Sequence, residues 1–143
     1  MTRDILESVT EDTSCWIAIC DGQVVGFTWG FRMSQEKLLA MVDMDVEAIR
    51  TMRLWCGEGQ IAYQSELGVL EDYRKRGIAR SLTSRRNEDF LQNGLEIGVI
   101  RTKENPPSVT YQWYQKIGYR VFYRYRDGSA RVLMARQLAG LEF

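Results

Sequence analysis

Arg74-Lys75-Arg76-Gly77-Ile78-Ala79 is the stretch of this chain best suited to chemistry, and the chemistry is the holding of an anion. Glu66–Leu70 before it reads as a buried strand, and the residues from Arg76 to Gln92 read as a helix. The first N–H groups of a helix have no partner within it, and its dipole places roughly half a positive charge there. Arg74, Lys75 and Arg76 add full charges, with Arg80 at the edge. Gly77 lets the backbone come close to a ligand. A strand end, a basic turn and a helix start together offer a seat for a pyrophosphate. Proton chemistry is narrowed from the other side: the chain has no histidine. Histidine triads, histidine metal ligands and histidine bases are thereby excluded. Glu, Asp, Tyr, Cys, Lys or water must carry any proton. Cys15, Cys20 and Cys56 form no metal-ligand pattern, and an odd number of thiols suits a reducing compartment.

The elements that must position these residues read as mixed α/β. Residues 3–9 are expected to form a short helix. Residues 15–20 read as a strand, Asp21-Gly22 as a hairpin turn, and residues 23–33 as the partner strand. Ser34 is placed to cap a helix over residues 35–55, where apolar residues recur at threes and fours. A strand over 61–70 precedes the basic turn. Asn93-Gly94 closes the long helix, a strand covers 95–101, a short helix 108–117, and a hairpin 119–137. Arg85 and Arg86, further down the long helix, are expected on its solvated face. Gly68 and Gly98 sit inside strands, where a glycine marks a bulge or a close backbone approach. No repeat or linker is visible, so residues 1–143 are expected to form a single domain.

Composition bounds the function. The chain has 143 residues, of which 45% are hydrophobic and 27% charged, enough for one real core. Its formal net charge is zero, which argues against a nucleic-acid partner, whose binding rests on excess positive charge. No apolar run approaches the length of a membrane span and no signal-peptide pattern is present. We therefore expect a soluble, cytoplasmic protein with no membrane partner. The Gly-x-x-x-x-Gly-Lys-Ser/Thr loop of nucleotide kinases is absent.

Val69, then Arg74-x-x-Gly77-x-Ala79, resembles the acetyl-CoA motif of the GNAT superfamily of N-acetyltransferases. Tyr114-Gln115-Lys116-Ile117-Gly118-Tyr119, about forty residues after Arg74, looks like the closing helix-to-strand motif of the same family. The resemblance covers roughly residues 15–138. It implies a mixed, mostly antiparallel central sheet flanked by helices, an α/β (α+β) fold. Its two central strands would splay from a bulge near Gly68 and admit the pantetheine arm of acetyl-CoA. It implies acetyl-CoA as co-substrate and no metal. The cofactor site would use Leu67, Val69 and Leu70 of the strand, then Arg74, Lys75, Arg76, Gly77, Ile78, Ala79 and Arg80. Asn105 resembles an Asn that holds pantetheine, though it stands nine residues before Tyr114 where seven is usual.

Acetyl transfer from a thioester to an amine needs a neutral amine, a stabilised oxyanion and a protonated leaving thiolate. An ammonium with a pKa near ~10.4 is almost wholly charged at neutral pH, so a proton acceptor helps. The resemblance puts Glu66 in that role, or in contact with the amine. It puts a backbone N–H near Val69 or Leu70 at the oxyanion, and the Tyr114 hydroxyl at the departing sulfur. The acceptor is expected to be a primary amine of a small molecule or peptide. The alternative is a catalytically inactive CoA-binding module acting in regulation or assembly; a purely structural domain is the third reading. Two departures from the family stand out. The chain has only about fourteen residues before its first strong strand, where the family carries another strand and a helix pair. Residues 34–58 are a helical insertion, rich in methionine, where the family has a short turn. A homodimer is expected, since a second copy would cover the sheet surface left open.

Overall fold

Seven strands form one sheet in the computed structural model, which describes residues 3–9, 12–42, 46–57 and 59–140. β1 (Arg3–Val9), β2 (Thr13–Cys20) and β3 (Gln23–Met33) make an antiparallel meander. β4 (Ile61–Val69) runs antiparallel to β3, and β5 (Ile97–Lys103) parallel to β4. The hairpin of β6 (Arg120–Arg124) and β7 (Arg131–Gln137) joins through β7, giving the order β1-β2-β3-β4-β5-β7-β6. Helices α1 (Gln35–Met41) and α2 (Val46–Cys56) lie between β3 and β4 in sequence. α3 (Ile78–Gln92) follows β4 and α4 (Val109–Lys116) follows β5.

Successive side chains of a strand point to opposite faces, and this alternation sorts the helices into two layers. Ile100, Val132 and Met134 pack with Tyr114 and Ile117 at α4. Their neighbours Val99, Leu133 and Ala135 pack with Leu38 of α1 and Met52 of α2. α3 shares the α4 side: Ile78 and Leu82 pack on Trp16, Ala18 and Cys20 of β2. Asp89 of α3 fastens that contact, accepting from Ser14 Oγ at 2.6 Å and from Trp16 Nε1 at 2.7 Å. The β2–β3 turn is of the type expected, with Asp21 at φ 51° and Gly22 at φ 78°.

Several local expectations change. Residues 3–9 are a strand rather than a helix, paired with β2 from Arg3↔Cys20 to Val9↔Ser14. Seven residues with three apolar positions carry too weak a periodicity to outweigh a neighbouring strand edge. The strand thought missing is therefore present, and among the described residues no helix lies between β1 and β2. The helix over 35–55 is interrupted. Ser34 caps α1 as expected, its Oγ accepting from Lys37 N at 3.1 Å, but Val42 is extended at φ −130°. Asp43, Met44 and Asp45 lie outside the described residues. Of the methionines there, Met33 and Met52 are core, and Met41 is exposed.

Candidate functional site

β4 and β5 pair only at Ala62↔Gly98 and Tyr63↔Val99. β5 and β7, by contrast, stay paired from Ile97↔Gln137 to Lys103↔Arg131. Beyond Tyr63 the two central strands part and leave a wedge, with the β4 edge unpaired on that side. The cause lies earlier than Gly68. The β3–β4 register shifts between Trp29 and Phe31, so that Gly30 alone faces Gln64 and Ser65, the two-against-one count of a bulge. Gly30 is required there, since a Cβ would stand 2.6 Å from the Tyr63 carbonyl oxygen. Gly68 has a different reason: a Cβ would stand 2.8 Å from the Phe27 ring, which lies across it.

The unpaired edge runs straight into the basic turn. Leu70 N–H donates to the Val25 carbonyl at 2.8 Å, so by strand alternation the N–H groups of Leu67 and Val69 face the wedge. A 3-10 turn over Glu71–Tyr73 follows. Arg74 Nε donates to the Val69 carbonyl at 3.1 Å and folds the turn back on the strand. The Arg76 guanidinium lies 5.0 Å from the Tyr73 ring centroid. α3 begins at Ile78, two residues later than expected, with Gly77 as its cap at φ 81°. Any side chain is strained at that angle. Ile78 is buried against β2, so only its backbone is available; Lys75 and Arg80 are exposed. Asn105 lies on an exposed turn between β5 and α4.

Tyr114 is 1% exposed on α4. Its ring meets that of Tyr119 edge-on at 4.7 Å. Its oxygen accepts from Arg86 Nη2 at 2.8 Å. Arg86 was expected in solvent and is fully buried, at 0% exposure. Ile78, Leu82, Arg86 and Phe90 recur every four residues and share the inward face of α3. That spacing is the sequence signal for Arg86; its residue type hid it. Arg85, next to it, is exposed and lies over Trp16 at 5.0 Å. Arg86 Nη1 donates to Thr28 Oγ1 at 2.6 Å, and Thr28 Oγ1 donates to the Glu66 carbonyl at 2.7 Å. One guanidinium thus ties together β3, β4, α3 and α4. A second chain runs beside it. Tyr119 donates to Gln64 Oε1 at 2.5 Å, and Gln64 Nε2 to Asn87 Oδ1 at 2.6 Å. Burial holds the Tyr119 phenol well above its ordinary range.

Glu66 presents its side chain to the other face, where its cross-strand partner is Trp29. It is exposed, beside Phe27 at 39% and Trp29 at 36% exposure. Trp29, Phe31 and Tyr63 form an aromatic row with centroids 5.9 and 5.6 Å apart. Lys37 of α1 rests its ammonium 5.8 Å from the Phe31 ring. The wedge therefore has a basic, helix-capped end and Tyr114 on one face, and a carboxylate with aromatic rings on the other.

A family model, the acetyltransferase (GNAT) domain, matches residues 11–121. The chain belongs to the GNAT acetyltransferase family. No curated protein matches it. Among solved structures, PaiA N-acetyltransferase from Thermoplasma acidophilum, in complex with coenzyme A, is 17% identical with a TM-score of 0.60. That match covers 88% of this chain and 61% of the other, so this GNAT chain spans less than two thirds of that relative. NAA60 of Arabidopsis thaliana, in complex with acetyl-CoA, is 22% identical, with coverage of 90% and 78% and a TM-score of 0.59. Arabidopsis thaliana Naa50, in complex with the bisubstrate analogue CoA-Ac-MVNAL, is 15% identical, covering 86% and 72%, with a TM-score of 0.57. At these identities the likeness is one of fold: a mixed, mostly antiparallel sheet with helices on both faces. Among the described residues, no helix is long and apolar enough to cross a membrane.

Proposed function

We propose that this GNAT protein transfers the acetyl group of acetyl-CoA to a primary amine of a small molecule or peptide. The carrying observation is the continuity of the wedge edge of β4 with the left-handed Gly77 cap of α3. The residues fit the ligand. An unpaired strand edge accepts an extended amide chain as an added strand would. A helix N-terminus at a glycine cap, beside Arg74, Lys75 and Arg76, accepts a pyrophosphate. Leu67, Val69, Ala79 and Arg80 complete that side of the proposal, with Asn105 at the rim. Leu70 enters through its place in the chain alone, since its N–H is taken by Val25. The structures of NAA60 with acetyl-CoA and of PaiA with coenzyme A support this reading.

When bound, acetyl-CoA supplies an acetyl thioester. Glu66, on the open face, receives the ammonium of the acceptor and takes its proton directly or through water. The aromatic row beside it favours a cation, as Lys37 over Phe31 already illustrates. The Val69 N–H stabilises the oxygen that gains charge as nitrogen attacks the carbonyl carbon. Tyr114 gives its proton to the sulfur as the C–S bond breaks. The second reading, a CoA-binding module without catalysis, draws on the deep burial of Tyr114. Thiol release across a panel of amines separates the two.

CoA is expected to raise the melting temperature. A ligand at 100 times its Kd adds about 2.7 kcal/mol. Gly77→Val, which cannot hold the left-handed cap without strain, is expected to remove the shift while the protein still melts cooperatively. An unchanged melting point with millimolar CoA would sink the proposed cofactor.

The same reading includes a cytoplasmic location and a homodimer. Free Cys15 and Cys20 suit a reducing compartment. Leu54 at 80%, Val46 at 71% and Met41 at 43% exposure leave apolar surface on α1 and α2 for a second copy. Light scattering at tens of micromolar should give twice the chain mass; a monomer there counts against the dimer.

A further inference from the structure

We propose that Arg86 is a positioning residue, whose guanidinium aims the hydroxyl proton of Tyr114 into the wedge between β4 and β5. The proposal rests on the reading of Tyr114 as the proton donor to sulfur.

A guanidinium has five N–H donors and no acceptor. At 2.8 Å from Arg86 Nη2, the Tyr114 oxygen must therefore accept, and its own proton must leave in another direction. Thr28 is the internal comparison. Its hydroxyl also accepts from Arg86, at 2.6 Å, and sends its proton to the Glu66 carbonyl at 2.7 Å. Tyr119 is a second comparison. Its proton goes to Gln64 Oε1 at 2.5 Å. Among the described residues, no acceptor stands opposite the proton of Tyr114. Of the three buried hydroxyls in this cluster, Tyr114 alone has a proton not committed within the protein.

Two further observations point the same way. Arg86 is at 0% exposure, its hydrogen-bond partners among the described residues are two neutral hydroxyls, and its Nε has none. A buried charge without a carboxylate is costly, and a neutral side chain of similar length would fill the space more cheaply. The cluster also sits where the wedge opens. Leu67, whose backbone lines the wedge, packs against both the α3 cluster and the Tyr114 cluster. Among the described residues, the charged and titratable groups packed around Tyr114 are Arg86 from α3, Tyr111 from its own helix and Tyr119 from the start of the last hairpin, with Arg136 of β7 acting on Tyr119.

The proton balance closes. Tyr114 transfers its proton to the departing sulfur as C–S breaks, giving CoA thiol. The guanidinium then faces the phenolate left behind. The acceptor ammonium gives its first proton to Glu66 before attack, and the nitrogen sheds its second to water as the amide forms. Solvent returns one to Tyr114 and Glu66 releases its own, so one proton is set free per turnover.

The test is a double-mutant cycle. Arg86→Met should lower kcat at least about tenfold, with the acetyl-CoA KM within about twofold of the parent. In a Tyr114→Phe background, Arg86→Met should change kcat by less than about twofold, because the two residues act as one unit. Full additivity overturns the proposal. Arg86→Lys, which keeps charge without the planar fork, should fall between parent and Arg86→Met. A second readout needs no turnover. The buried hydroxyl proton of Tyr114, assigned in the NMR spectrum by its loss in Tyr114→Phe, should move downfield when CoA is added. It should not move in Arg86→Met. A resonance unmoved by CoA in the parent, or equally moved in Arg86→Met, overturns the proposal even if the variants fold poorly. A normal kcat in Tyr114→Phe would instead sink Tyr114 as the acid, while the NMR shift still judges where Arg86 aims the proton.

Discussion

Tyr114→Phe should lower kcat at least tenfold while the acetyl-CoA KM stays within about twofold, because general acid catalysis is worth ~10²–10⁴-fold. The substitution keeps the edge-on contact with Tyr119 at 4.7 Å and the packing against Ile100 and Met134. It removes only the oxygen that accepts from Arg86. A purely packing tyrosine would leave kcat within about twofold. A tyrosine that binds CoA in the ground state would raise KM and leave kcat alone. The loss must be read with chemistry rate-limiting, shown by the absence of a burst. A near-normal kcat under that condition leaves water as the proton source.

Gly30→Ala is expected to be strongly destabilising. Its Cβ would stand 2.6 Å from the Tyr63 carbonyl oxygen, 3.0 Å from Phe90 Cζ and 3.2 Å from Gln64 Cα. Two of these neighbours are backbone atoms of β4 and cannot swing away. Overpacking of this kind costs about 3 kcal/mol, or roughly 6–12 °C in melting temperature for a chain of this size. Gly22→Ala is the control, since nothing lies within 4 Å of its Cβ and only its φ of 78° opposes it. Equal melting points for Gly30→Ala and the parent would mean that the bulge relaxes freely and does not set the wedge.

The motifs that name the family were legible because they are local. Arg74-x-x-Gly77-x-Ala79 demands a strand end, a turn and a helix cap, and all three are there. Ser34 was legible as a cap for the same reason. Three things were not. The strand at residues 3–9 owes its conformation to β2, seventeen residues away at Arg3↔Cys20. The bulge arises opposite Gly30, a strand glycine that was passed over, because its cause, two residues of β4 passing one of β3, lies in the pairing and not in either strand alone. Arg86 was assigned to solvent by residue type, although its spacing from Ile78, Leu82 and Phe90 places it inward. Charge is the stronger cue at most positions, and a buried hydroxyl pair overrides it here.

The helix pair between β3 and β4 is held at its two ends. Met33 pairs with Ile61 at its base, Arg32 Nη1 donates to Gln60 Oε1 at 2.8 Å, and Gln35 Nε2 donates to the Gly57 and Gly59 carbonyls, each at 2.8 Å. Lengthening a loop whose ends are already closed adds little entropy cost. The segment is more than a loop, however, because Leu38, Val42, Ala48 and Met52 supply buried core beneath Val99, Leu133 and Ala135. Its inward positions are held by that core, while its outward ones, Met41, Val46 and Leu54, are free to change without disturbing Arg86, Tyr114 and the Gly77 cap, which lie on the far side of the sheet. Change on that outer surface alters what the helix pair meets without rebuilding the sheet beneath it.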